Sequence, residues 1–215
     1  MIAALTAAML AACGNDGDRA GSIERPDGTA STTDPTTLHG LVSEEPFNVG
    51  DLTYDEVTTG GTNGPFEFVA PPGGVLTVYF GYTFCPDICP TTMSDLAAAL
   101  AALEPTDAAK LSIAFVTVDP TRDTPEVLTN YLANFFDDNY HALRDTDWAT
   151  LHALENRFLV TSEIALNPDG STEVGHSSVM AVVDDTGEVR VMWPFGVTAD
   201  DMASDLDLIM NGVAT

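Results

Sequence analysis

The sequence predicts an α/β domain: a central mixed sheet flanked by helices, with a β extension at its N-terminal edge. Three observations point there. Two short runs rich in β-branched and aromatic residues, "GVLTVYFGYTF" (Gly74–Phe84) and "LSIAFVTVD" (Leu111–Asp119), read as buried strands. Amphipathic helical segments alternate with strands through the middle of the chain, which is the pattern of a parallel sheet. Near the end, "SSVMAVVDD" and "EVRVMWPF" share the turn signal "DDTG", which adds an antiparallel part.

Taken in order, residues 38–70 carry short alternating runs broken by glycine, such as "LVSEEPFNVGDLTY" and "GPFEFVA", and predict β structure without a fixed register. After the strand 74–84, "TTMSDLAAALAAL" places Met93, Leu96, Leu100 and Leu103 at helical spacing, and Pro105 stops the helix. The strand 111–119 leads to "TPEVLTNYLANFF", a helix with Thr124 as cap, Pro125 at the first helical position and Glu126 in the first turn. "HALR" is a short strand. "DWATLHALENRF" is a helix capped by Asp147, "LVTSEIAL" a further strand, and "TADDMASDLDLIM" the closing helix. These elements make one domain, 38–215.

The residues before it read differently. "MIAALTAAMLAA" (1–12) is too short to span a bilayer, which takes about twenty residues, and suits the apolar region of a signal peptide. No lysine or arginine precedes it, although such leaders carry a positive start. Leu10-Ala11-Ala12-Cys13-Gly14 looks like a bacterial lipobox, with Cys13 as the lipidated residue. Residues 13–37 are rich in Gly, Ser, Thr, Asp and Pro and read as a flexible tether. The expected arrangement is a lipid-anchored domain on the extracytoplasmic face of the cell membrane, where cysteines meet oxidants.

Charge narrows the function. With 33 acidic against 7 basic residues, a net charge of −26 excludes nucleic acid and polybasic membrane contact as partners. It reads as a self-repelling, soluble surface, and a monomer is expected.

The chemistry-bearing stretch is "GYTFCPDICPTTM" (81–93), with Cys85 and Cys89 between a strand and a helix. Ligands gather at the carboxyl ends of strands in open α/β sheets, and a helix N-terminus stabilises a thiolate. Pro90 is expected at the first helical position, which makes Cys89 the cap residue and its thiol the low-pKa one. Three readings stay open. A structural disulfide would close too short a loop to stabilise much. A redox pair departs from the familiar spacing by one residue. A soft-metal site with Cu(I) would need an imidazole as third ligand. Of His39, His141, His152 and His176, the last stands out: it follows Gly175, which allows an unusual backbone angle or a close approach, at the entry to an apolar strand.

These motifs resemble those of the Sco/SenC family, thioredoxin-like copper chaperones of cytochrome oxidase assembly. "FGYTFCPDICPTTM" is similar to the family's CPxxCP element, "VTVDPTRDTPEVLTNYLANF" to its DPxRDTP signature, and "VGHSSVMAVVDDTGEV" to its histidine-serine-serine strand, in the same order across 45–212. The resemblance implies a thioredoxin-like fold and copper ligands at Cys85, Cys89 and His176. It implies acidic neighbours at Asp87 and Asp119, acting behind the ligands if at all. Tyr82 and Phe84 are expected to shield the site. Phe84 replaces the family's usual histidine before the first cysteine. The implied function is delivery of copper, as Cu(I) or Cu(II), to the dinuclear copper site of cytochrome c oxidase subunit II. The alternative is a thiol-disulfide oxidoreductase that reduces the cysteines of that site through Cys85 and Cys89. A thiol peroxidase would leave the histidine strand without a role.

Overall fold

The computed structural model describes residues 37–212. The leader, Cys13 and the rest of the tether up to residue 36 lie outside them. Strands β1 (Thr53–Thr58) and β2 (Gly61–Glu67) form a hairpin. Then come β3 (Val75–Gly81), α1 (Ile88–Ala102), the single turn α2 (Pro105–Ala108), β4 (Leu111–Thr117), α3 (Pro125–Leu132) and β5 (Tyr140–Leu143). The rest is α4 (Trp148–Arg157), β6 (Ser162–Leu166), β7 (Thr172–His176), β8 (Val179–Val183), β9 (Val189–Pro194) and α5 (Ala199–Met210).

Seven strands form one mixed sheet, ordered β2-β1-β5-β4-β3-β8-β9. β3, β4 and β5 are parallel, and β8 joins β3 antiparallel on its other side. The chain therefore leaves β3 toward β4 and later returns to β3's opposite edge. That is the crevice where α/β sheets place ligands.

β3 is buried along its whole length because both faces of the sheet are covered. Val75 and Tyr79 pack under α1, α3 and α5 with Met93, Leu96, Leu128 and Leu206. Leu76, Val78 and Phe80 face the opposite layer, with Leu151 and Leu154 of α4, Phe158 and Phe68. An unbroken apolar run is thus what a central strand requires.

Local signals set the helix ends. Thr124 accepts from the Val127 amide and Asp147 from the Ala149 amide, as expected of caps. The "DDTG" turn closes β8 onto β9, with Gly187 at φ +80°. β7 is not marked in the sequence as a strand. It pairs antiparallel with β6 in a separate ribbon, and Ser162 lies opposite His176. His176 therefore ends one strand and does not enter the next.

Candidate metal centre

β3 delivers the chain to the sheet's upper edge at Gly81. A side-chain carbon added there would lie 2.7 Å from Tyr79, 3.0 Å from the Phe115 ring and 3.1 Å from Cys89 Sγ. Glycine leaves the space that the Cys89 thiol occupies. The following loop is held by Asp123, a fully buried carboxylate. It accepts from the Thr83 amide at 3.1 Å, the Thr83 hydroxyl at 2.6 Å and the Thr117 hydroxyl at 2.6 Å. Burial raises its pKa against those donors. Asp123 was missed in the sequence because "RDTP" reads as a helix approach, with no sign that its acid faces Thr83.

Helix α1 begins at Ile88 with Asp87 as cap residue, two residues earlier than the expected start. Pro90 is tolerated as the third helical residue. The carbonyl it would clash with belongs to Pro86, before the helix, and its missing N–H lies among those with no intrahelical acceptor. Cys89 is consequently inside the first turn and fully buried.

This inverts the expected thiol chemistry. Burial pushes the Cys89 thiol up to about 12, outweighing the Tyr82 amide that faces it. Cys85, half-buried in the loop, is also desolvated. The amides of Cys89, Asp87 and Ile88 outweigh that, and its pKa is lowered. The Cys89 amide donates to Cys85 Sγ at 3.3 Å. Both thiols are free. The helix N-terminus acts on the thiol that precedes it and leaves Cys89 protonated.

His176 completes the cluster. Its Nε2 lies 3.6 Å from Cys89 Sγ, while Nδ1 donates to the Ser177 carbonyl at 3.1 Å. That bond fixes the tautomer with Nε2 free to act as a ligand. Burial keeps the imidazole below its usual pKa and hence neutral. The ring stands edge-on to Tyr79 and Tyr82, with centroids 6.1 and 5.8 Å away. The Tyr79 hydroxyl donates to Cys89 Sγ at 3.7 Å.

The ligand atoms of Cys85, Cys89 and His176 lie within 4.8 Å of one another, the one such group of three among the described residues. Two sulfurs and an imidazole nitrogen are a soft donor set, suited to Cu(I). Cys85 and His176 border a cleft of roughly 300 Å³ lined also by Tyr82, Asp87 and Val174, and Cys89 lies buried behind them. A larger cleft of roughly 600 Å³ between β1 and α4 is lined by no thiol or imidazole.

The remaining residues fall around this group. Asp87 is exposed at the cleft and makes no side-chain cap. Asp119 is buried and its carboxylate pairs with Arg122. The Arg122 guanidinium lies 5.9 Å from the Tyr82 ring centroid, so Asp119 reaches the site through two side chains. Tyr82 covers His176, but Phe84 is 56% exposed and does not shield the ligands. Gly175 has neither a left-handed φ nor any atom within 4 Å of an added side-chain carbon, so the close approach expected there is absent. His39 pairs with Asp205, His141 with Glu56 and His152 with Glu155, all away from the cluster.

A family model described as SCO1/SenC matches residues 59–211. The SCO2-like protein of Rickettsia prowazekii is 30% identical over 174 residues, covering 73% of this chain and 78% of that protein. A SCO2-like protein of Rickettsia typhi is 34% identical over 124 residues, 54% of this chain and 57% of that protein. The structure of Bradyrhizobium japonicum ScoI with copper bound superposes with a TM-score of 0.62 at 26% identity. That match covers 75% of this chain and 98% of the other.

Proposed function

The chain belongs to the SCO1/SenC family, and on that premise we propose that it carries copper through Cys85, Cys89 and His176. Copper is its cargo, and the acceptor is the dinuclear copper site of cytochrome c oxidase subunit II. The chain works as a monomer, held at the extracytoplasmic membrane face by a lipid on Cys13, with 13–37 as tether and 38–215 as the working domain. Among the described residues no helix is long and apolar enough to cross a membrane.

The observation that carries the reading is the convergence of two thiols and a neutral imidazole, whose free Nε2 points at Cys89 Sγ. Bound there, copper would be held by soft thiolate donors with one nitrogen ligand. The residues' own tasks are separate. The amides at the start of α1 lower the pKa of Cys85, Tyr79 donates to Cys89, and the Ser177 carbonyl orients His176. The test is Cu(I) titration of the reduced protein. Cys85→Ser and His176→Ala should each weaken binding by at least about tenfold, and unchanged affinity in both sinks the reading.

One observation favours a second role. An accessible, low-pKa Cys85 beside a buried, protonated Cys89 is the arrangement of an attacking and a resolving thiol. The Cys85 thiolate would attack one sulfur of a target disulfide and break its S–S bond. Cys89, giving up its proton, would then attack Cys85 Sγ and expel the target's sulfur from the mixed disulfide. The target gains two electrons and two protons, and a Cys85–Cys89 disulfide remains. Failure of that disulfide to exchange with dithiols would remove this role.

A further inference from the structure

Two phenylalanines beside the cleft are held outward. Phe84, next to Cys85, is 56% exposed, and Phe195 is 47% exposed. Neither hangs loose. The Arg122 guanidinium lies 5.1 Å from the Phe84 ring centroid and is itself paired with the buried carboxylate of Asp119. Phe195 occupies the tip of a tight turn, in which the Val197 amide donates to the Pro194 carbonyl and Gly196 supplies φ +97°. Its own amide donates to the carbonyl of Ser178, a residue that lines the cleft with His176. An exposed aromatic costs little entropy to use when its position is already fixed, which is the usual make-up of a binding anchor.

The unbalanced charges along the cleft and its neighbouring ribbon are acidic. Asp87 lines the cleft, and Asp95 lies in the pocket that Phe195 borders. Glu163, opposite Gly175, and Glu173 are exposed on the outer face of the β6–β7 ribbon. Arg122 is the basic side chain here, and Asp119 balances it.

Resting on the copper-carrier reading, we infer that Phe84 and Phe195 are anchors of a docking face for the copper acceptor. The fitting partner is a protein with an apolar centre at its copper-binding thiols and basic residues around it. These acids disfavour a second copy of this chain, which at a net charge of −26 would bring like charge to the same face. The acids draw the partner in, and the rings seat it over the cleft where Cys85 is accessible.

The test follows copper transfer from the Cu(I)-loaded full chain to two probes, the reduced copper domain of a cytochrome oxidase subunit II and a small Cu(I) chelator. The double variant Phe84→Ser, Phe195→Ser should slow transfer to the domain by about tenfold and leave transfer to the chelator within about twofold. Glu163→Lys with Glu173→Lys should slow domain transfer at low salt, with the difference vanishing near 0.5 M salt, where the Debye length shrinks to a few ångströms. An unchanged domain rate in the phenylalanine variant overturns the inference, as does an equal fall with both probes. Failure of the carrier reading shows separately, as a wild-type chain that binds no copper, and takes the inference with it.

Discussion

Cys85 and Cys89 stand where β3, buried at every residue, meets α1, whereas His176 ends β7, whose only sheet partner among the described residues is β6. Cys89 is fully buried, and a side-chain carbon on Gly81 would meet its sulfur together with Tyr79 and Phe115. Around Gly175, one residue before His176, there is open space. In the first region close packing supports the Cys89 side chain along with its hydrogen bond from Tyr79. In the second, the ring is oriented by the Ser177 carbonyl, the Phe80 backbone, the Cys89 sulfur and two ring edges rather than by a close-packed shell around its backbone. The donor set is therefore one sulfur on a close-packed base, one on the adjoining loop and a nitrogen on a separate ribbon, so the geometry of Cys89 should be insensitive to changes in the ribbon.

The largest effect that could break this comparison lies between the thiols themselves. With metal-free, reduced protein near pH 8, iodoacetamide should modify Cys85 at least about a hundredfold faster than Cys89, since each pKa unit is a decade of thiolate. Peptide mass spectrometry reads the ratio, and comparable rates would show that Cys89 is not closed off. Next comes a matched pair of glycines. Gly81→Ala should lower stability by about 2 kcal/mol through overpacking. Gly175→Ala should leave it within about 0.5 kcal/mol or raise it slightly, by restricting the unfolded chain. Urea unfolding distinguishes the two, and equal losses would erase the contrast.

Smaller effects sharpen the picture of the ribbon. Leu159, between α4 and β6, has φ +57° and an exposed side chain. Leu159→Gly should stabilise by roughly 1 kcal/mol, because glycine accepts the left-handed conformation that leucine resists. No gain would mean that contacts of the leucine offset its strain. The last is pH. Burial lowers the folded-state pKa of His176 below 6.5, so the unfolded chain binds the extra proton first. That contribution to stability is intact above pH 6.5 and is lost as pH falls from there through the folded value. The apo His176→Gln variant should show a flatter profile below pH 6.5, and an identical one would mean that the ring titrates alike in both states.

How far the sequence carried depended on whether the deciding contact was local. β3 and β4 announced themselves as apolar runs, and Thr124 and Asp147 as caps, since each signal lies within a few residues of its effect. Cys85, Cys89 and His176 were singled out by spacing, position and resemblance. Long-range facts were not legible. The start of α1 turns on where the Pro86 carbonyl lies relative to the helix. The protonation order of the thiols follows from the burial of Cys89 against Tyr79 and Gly81. The role of Asp123 depends on Thr83, 40 residues away. β7 escaped notice because a two-stranded ribbon with one face in solvent needs no continuous apolar run.

The claim on which the account rests is that thiol and imidazole donors act together on one copper ion. Cu(I) titration of the reduced wild type beside His176→Ala, followed by X-ray absorption at the copper edge, tests it most directly. The account predicts one copper per chain, with a sulfur and nitrogen shell in the wild type that loses its nitrogen in the variant while affinity falls. An identical shell and affinity in the variant would contradict it.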